Sequence, residues 1–515
     1  MAKKSTTDTC CLTLPLIVEK WQSDRLEKRF EIARQIYNAL LNYELKKLRR
    51  LEQSEDYKKT EAEITRLLNE PEKNRKLLKQ AYKKRDDLRE KAKFSEYCFK
   101  SDIQRFYKHF NDNIGSNVAI HGIAPQVWAA FEKMFYGNGK AVHFKRRGDI
   151  RSVRGYSNSR KSGGVEIMFR KTETGAYIEW KKLYIPVKTD RDNEYETEML
   201  KNRIKYCRIV KRPGKRKSRW YVQLSLEGKP TVKRNKLTGE ILHPVGKGAV
   251  GIDIGPQTIA YAADKELVLT ELADKVKNIE REKRILQRKM DRSRRSTNPD
   301  NFTQDGMIKR GVKLKWNESK HYLKYRRQLA FLQHMQAETR KRQHIELANK
   351  MMALGDVFYV EDMAWPSLTR RAKKTEISEK TGRYKKKKRF GKSVGNKAPA
   401  MLIGILNQKL LSRGMAGVIK VPTTLRASQY NHITNDYQKK ELSERWNVMP
   451  DGRKLQRDMY SAFLLQHTNT ELNGFNLESL NRDYENFVFL HDNAIQKLRS
   501  APKTPASMGI ARKRS

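Results

Sequence analysis

The stretch Ala249–Tyr261, AVGIDIGPQTIAY, constrains the fold of this chain more than any other. Val250, Ile252 and Ile254 alternate with Gly251, Asp253 and Gly255. One face of a short buried strand is therefore apolar, and Asp253 stands on the other. Gly255 and Pro256 suit a tight turn, after which the chain returns as a second strand. A carboxylate between small residues at a strand tip makes a poor core residue and a good metal ligand, although a turn cap is a simpler role for Asp253 alone.

With 515 residues the chain has room for two or three domains. Its 110 Lys and Arg against 59 Asp and Glu give a formal net charge of +51. Such a charge repels itself unless a polyanion is a regular partner, and nucleic acid is the economical one. A membrane surface is the rival. No apolar run approaches the ~18 residues of a spanning helix, and basic residues are spread along the whole chain, so no membrane partner is expected. The opening MAKKSTTDTCCLTLPLIVEKW mimics a signal peptide but lacks a small-residue cleavage site, and Leu12, Leu14, Leu16 and Val18 alternate as in a strand. A cytoplasmic, nucleoid-associated protein is expected. Cys10, Cys11, Cys98 and Cys207 form no C-x-x-C pair, so neither a disulfide framework nor a zinc site is indicated, and no zinc is expected.

Along the chain, Ser23 is placed to cap a helix running to about Glu52, with Leu26, Phe30, Ala33, Tyr37, Leu40 and Leu41 at three- and four-residue steps. Further helices are expected over Asp56–Glu70, over Lys73–Ala92 and around Trp128–Phe135, with Lys and Arg on their outer faces. From His143 the texture turns to strands: Val165–Arg170, Leu183–Val187, Ile204–Val210 and Arg219–Gly228. With the first strand these suggest a small barrel into which residues 20–140 are inserted. Between the last two strands, Lys211, Arg212, Lys215, Arg216, Lys217 and Arg219 offer backbone contacts to nucleic acid beside Trp220 and Tyr221, which suit the core.

Residues 229–247 read as a linker. After the Asp253 hairpin, Lys265–Ala273 reads as a third strand, and a helix from Val276 to Met290 follows. A basic loop over Arg292–Lys313 and a second long helix complete a helical hairpin, with a free coiled-coil arm as the rival. Val357–Val360 is a strand ending in Glu361 and Asp362. Residues 366–398 read as a mobile loop, in which Arg383, Lys385, Lys386, Lys387, Lys388 and Arg389 suit a nucleic-acid contact better than a nuclear-localisation signal. A helix over APAMLIGILNQKLLSRG, a strand in GVIKVPTTLRASQ and an apolar helix over Leu455–Leu465 bearing Asp458 follow. The tail from Ala501 reads as disordered.

Three acids thus fall on a first strand (Asp253), the end of a later strand (Glu361) and a late helix (Asp458). In a ribonuclease-H-like sheet those elements adjoin, and three carboxylates brought together repel one another until cations intervene. Two Mg²⁺ ions, with Mn²⁺ an acceptable substitute, would relieve that repulsion and serve phosphodiester hydrolysis. Singly, Glu361 also suits a helix N-cap neighbourhood and Asp458 a surface acid. An actin- or Hsp70-like ATPase shares the first hairpin but needs a second Gly-rich phosphate hairpin, which does not follow. A DDE-type transposase shares the sheet but orders its acids Asp, Asp, Glu.

GIDIG, YVEDM and QRDMYSAFLL, with a basic helical hairpin between the first two, resemble the split RuvC domain of TnpB proteins, RNA-guided DNA endonucleases of transposons related to compact type V CRISPR effectors. GKSVGNKAPAMLIGILNQKL, VPTTLRASQ and RWYVQLSLE are similar to further parts of that family. The resemblance implies a multidomain chain, α/β plus α+β. A wedge-type β-barrel (1–20 and 141–228) would carry a helical recognition lobe (21–140). A RuvC-like nuclease domain (248–425 and 448–500) would carry the hairpin at 274–350, and a basic tail would end the chain (501–515). It also implies catalytic and metal-binding roles for Asp253, Glu361 and Asp458, a guide RNA, and target double-stranded DNA opened into a heteroduplex and a single strand. The family's paired cysteines are missing from residues 426–447, which implies a metal-free replacement of its zinc ribbon. Two alternatives are an RNA-guided DNA-binding regulator that does not cut and a guide-independent structure-specific nuclease.

Overall fold

The computed structural model describes residues 7–71, 74–137, 139–156, 166–173, 175–190, 192–371, 375–378, 382–384, 390–441, 443–502 and 504–511. The chain divides into two compact units, 1–232 and 233–515. In the first unit, β1 (Thr9–Pro15) leads into α1 (Lys20–Gln53), α2 (Glu55–Asn69), α3 (Arg75–Lys91), the short α4 (Glu96–Asp102) and α5 (Gln104–Tyr107), and α6 (Ala124–Tyr136). There follow β2 (Ser152–Tyr156), β3 (Ile167–Lys171), β4 (Ala176–Trp180), β5 (Leu183–Val187), α7 (Glu194–Met199), β6 (Ile204–Arg212) and β7 (Arg219–Glu227).

The apolar steps of α1 bury Leu26, Phe30, Ala33, Tyr37, Leu40 and Leu41, as their spacing requires. The helix begins earlier than Ser23, because Glu19 and Gln22 form a reciprocal capping box. Ser23 instead accepts the Trp220 indole N–H at 3.1 Å. The expected barrel is not found. The strands form a four-stranded sheet, β1-β7-β6-β2, and a three-stranded meander, β3-β4-β5, bridged at Leu16–Val187. A barrel needs an unbroken ladder around its circumference, but β2 and β3 pair with β6 and β4 rather than with each other. Both sheets and α1 share one core that includes Leu14, Phe30, Ile178, Trp180 and Trp220.

The second unit comprises β8 (Ala249–Ile254), β9 (Thr258–Ala263), β10 (Glu266–Glu271), α8 (Glu280–Thr297), α9 (Lys320–Met352), β11 (Val357–Glu361), α10 (Trp365–Thr369), α11 (Gly391–Lys397), α12 (Pro399–Ser412) and β12 (Ile419–Val421). Two small hairpins follow, β13 (Tyr430–Asn431) with β14 (Asp436–Tyr437) and β15 (Trp446–Val448) with β16 (Lys454–Gln456), then α13 (Arg457–Gln466) and α14 (Leu477–Ser500). The central sheet has the order β10-β9-β8-β11-β12. Its first three strands are antiparallel neighbours, and β11 runs parallel to both β8 and β12. Val250, Ile252, Ile254, Phe358 and Val360 share a core with residues of α9 and α12. On the opposite face lie α13 and α14, whose Met459, Phe463, Tyr484 and Phe487 belong to a second core.

Several boundaries differ from the sequence reading. The first hairpin helix starts at Glu280 and runs on to Thr297, where a basic loop was expected; Asp291 pairs with Arg295 at 2.9 Å on its surface. The free-arm alternative fails for the end of α9, whose Ala348, Met351 and Met352 are buried in the sheet core. Inside the expected mobile loop lie α10 and α11, and Lys397 is buried against Glu271 (2.8 Å) and the Ala273 carbonyl (3.1 Å). Lys385, Lys386, Lys387, Lys388 and Arg389 lie outside the described residues. The tail is not disordered up to residue 511: Met508 is buried, and the indole of Trp446 donates to the Gly509 carbonyl at 2.8 Å. Among the described residues, no helix is long and apolar enough to cross a membrane.

Residues 426–447 are organised by aromatic packing. Tyr430 stacks on Phe475 with centroids 4.7 Å apart and lies 5.0 Å from Tyr437. His432 is buried, and the Tyr460 hydroxyl accepts its backbone N–H at 3.1 Å and lies 2.6 Å from its Nδ1. That hydroxyl can donate to Nδ1 only if the ring is neutral there, in keeping with burial that pushes the imidazole down to about 4.

The tightest helix-to-sheet contact is at Gly251. A Cβ there would lie 2.0 Å from the Ala462 carbonyl oxygen and 2.2 Å from the Gln466 nitrogen. Both neighbours are α13 backbone, so neither can rotate away. The substitution Gly251→Ala should lower the unfolding free energy of this unit by about 3 kcal/mol, read as a fall in its denaturant midpoint at unchanged slope.

Candidate active site

The sheet register decides where the acids stand. Val360 pairs with Ile252 across the parallel β11–β8 ladder, and Glu361 follows Val360 as Asp253 follows Ile252. The two acids are therefore level on adjacent strands, about 5 Å apart in the backbone. Ile252 and Val360 face the α9–α12 core, so alternation turns Asp253 and Glu361 to the α13 side. Glu361 is the last residue of β11 and also pairs with Val421. Asp458 stands in the first turn of α13, the helix seated on Gly251.

Electrostatics link the three. Burial first, then the charges of Asp458 and Glu361, push the Asp253 carboxyl far above the usual carboxylate range. A hydrogen bond with Ser461 and the charge of Arg457 pull the other way. Burial also raises the Glu361 carboxyl. The Oδ1 of Asp458 accepts from Arg457 Nε at 3.3 Å and Nη2 at 3.2 Å, and Arg445 Nη1 lies 3.7 Å away. The same Arg457 guanidinium donates to the Glu444 carbonyl at 3.0 Å. One arginine thus ties the third acid to the backbone of the preceding segment at Glu444.

Among the described residues, no three His, Cys, Asp or Glu side chains converge to hold one metal ion. The donor set still suits hard divalent cations: carboxylate oxygens only, two of them level on neighbouring strands, with one carboxyl driven toward its neutral form by burial and by two like charges. Cations shared between pairs of acids need two carboxylates each and would take over the compensation that Arg457 and Ser461 now provide.

The sequence reading missed Arg457, Arg445 and Ser461. Ser461 lies one helical turn beyond Asp458, so helical spacing carried a signal for it, whereas Arg457 is the immediate neighbour of Asp458 and neighbours do not share a helix face. Arg445 is distant in sequence and only the tertiary fold could reveal it. Of the basic candidates, Lys211 pairs with Glu27 and Arg212 lies over Tyr221 at 4.5 Å. Lys215, Arg216, Lys217, Arg219 and Arg383 are exposed.

Arg457→Ala should unpin the backbone at Glu441 and Glu444, whose carbonyls it reaches, while leaving β15 and β16 paired. Limited proteolysis should then cut that segment several-fold faster, with the denaturant midpoint of the unit lowered by the equivalent of about 1–2 kcal/mol.

No family model matches the chain, and no curated protein matches it. Among solved structures it is similar to the protein of a Cas12f1–sgRNA–target DNA complex, at 12% identity over 90% of this chain and 99% of that one, with a TM-score of 0.43. A CRISPR-Cas12f ternary complex matches at 12% identity over 88% and 83% of the two chains, with a TM-score of 0.25. A Cas12i–crRNA–dsDNA complex matches at 10% identity over 92% and 65%, with a TM-score of 0.24.

Proposed function

We propose that this chain is an RNA-guided DNA endonuclease of the TnpB-like kind, with a ribonuclease-H-like (RuvC) site formed by Asp253, Glu361 and Asp458. The observation that carries the reading is the register: Asp253 and Glu361 level on parallel neighbours, with the helix of Asp458 packed on Gly251, two residues before Asp253. A sheet ordered β10-β9-β8-β11-β12, antiparallel and then parallel, suits that nuclease fold. The net charge of +51 suits a chain that neutralises an RNA scaffold and a heteroduplex.

In this reading Asp253 is the shared carboxylate, Glu361 and Asp458 flank it, and the three would hold two Mg²⁺ ions. When bound, such ions supply an activated water and stabilise the leaving oxygen of a phosphodiester. The chain's own contribution is to hold the acids. Ser461 orients Asp253, and Arg457 balances Asp458 before cations arrive. The fixed ladder keeps Glu361 level with Asp253. Sequence reading would be delegated to the guide, with the protein gripping phosphates through exposed cations such as Lys215, Arg216, Lys217 and Arg219.

The test uses the purified ribonucleoprotein with its co-purifying RNA sequenced, matched duplex DNA and Mg²⁺. Asp253→Ala, Glu361→Gln and Asp458→Asn should each cut cleavage by roughly a hundredfold or more, with RNA binding unchanged. Tight target binding without product in the unaltered protein would instead mean a regulator, and cleavage that survives ribonuclease treatment a guide-independent nuclease. Affinity for the co-purifying RNA should fall by roughly 10³-fold between 50 and 200 mM salt.

A further inference from the structure

A cavity of about 290 Å³ opens beside Glu361 at the ends of β11 and β12, on the sheet face covered by α12, and its walls include Val360, Asp362, Trp365, Ile403, Asn407 and Lys420. Two successive tight turns bring the chain from the acid to the tryptophan: the Met363 N–H donates to the Glu361 carbonyl, and the Trp365 N–H to the Met363 carbonyl, each at 2.9 Å.

Trp365 differs from the chain's other tryptophans. Trp180, Trp220 and Trp446 each donate their indole N–H to an oxygen at 2.8–3.1 Å. Trp21 donates to Glu19, and Trp128 and Trp316 pack against Phe99 and Phe302. Among the described residues, the half-buried Trp365 has no side-chain hydrogen bond, no ring contact and no cation over its face. Asn407 is similar: its Oδ1 accepts the Val418 N–H at 2.9 Å, while its amide nitrogen has no partner among the described residues. At the rim, exposed Lys420 and Asp362 form an ion pair at 2.8 Å.

A half-buried aromatic that packs on the sheet core and also lines the cavity, an apolar wall, an amide donor unused among the described residues and a lysine at the mouth match one ligand chemistry: a nucleobase with its phosphate. The volume is at the small end for ligand sites and suits a single base rather than a base pair. We propose that this cavity seats one unstacked base of a DNA strand that passes the end of β11 at Glu361, the base turned to the α12 side against Trp365, its edge toward Asn407 and the adjoining phosphate on Lys420. The proposal rests on the nuclease reading for the presence of a single strand at Glu361. It adds a subsite that grips that strand by its base as well as by its backbone.

The test uses full-length protein carrying Asp253→Ala, so that DNA stays whole, and single-stranded oligodeoxynucleotides with 2-aminopurine placed at successive positions. One position should be quenched on binding. Trp365→Ala should abolish that quench and weaken binding by about tenfold, while Trp365→Phe keeps most of both and guide-RNA binding is unchanged. A duplex of the same sequence should show no Trp365-dependent quench. Unchanged affinity and quench in Trp365→Ala, or equal quench in duplex, would overturn the proposal. The readout is binding alone. A Trp365-dependent quench, together with no cleavage by the protein that retains Asp253, would uphold the subsite and defeat the nuclease reading, and cleavage by that protein with no such quench would do the reverse.

Discussion

The second unit depends on the contact of α13 with the backbone of β8 at Gly251. Without a side chain at that position, the helix can bring the Ala462 carbonyl and the Gln466 nitrogen to where any Cβ would stand. The approach lets Met459 through Gln466 be buried without a break, and it fixes the height of the helix above the sheet. Because Asp458 is in the first turn of that helix, its distance from Asp253 is set by backbone packing rather than by side-chain reach. A site that must hold acids of like charge near one another gains from this rigidity, since nothing flexible is available to relax the repulsion.

The repulsion itself shapes the surroundings. Burial and two neighbouring carboxylates drive Asp253 toward its neutral form, and the compensating groups are few: the Ser461 hydroxyl and the guanidinium of Arg457. Arg457 also reaches the Glu444 carbonyl, so the acids and the segment before β15 are coupled through one guanidinium. The segment that carries Glu444 is itself held by Tyr430, Phe475, Tyr437 and the His432–Tyr460 pair, through stacking and one buried hydrogen-bonded contact.

Much of this was legible locally. Apolar steps in α1, alternation in β8 and the run before Glu361 all describe faces, and faces follow from periods of 3.6 and 2. What was misread involved partners remote in the chain. Ser23 has the right chemistry for a cap, but Glu19 and Gln22 close the helix end first, and Ser23 is left for Trp220. The strands of the first unit alternate as barrel strands would, yet whether β2 meets β3 is a matter of pairing, not of pattern. The tail is polar and contains proline, which resembles disorder, but Met508 and Ile510 find a core to enter.

By itself the sequence determined the elements, the apolar face of each, the basic character of the whole and the three acids on their strand, strand end and helix. These depend on neighbours a few residues away and on the chemistry of single side chains. Only the tertiary structure decided that Glu361 is level with Asp253, that α13 rests on Gly251, that Arg445 and Arg457 hold Asp458, and that Trp365 lines a cavity at the end of β11. Ladder register and helix seating are settled by the packing of segments far apart in the chain, and no local period encodes them.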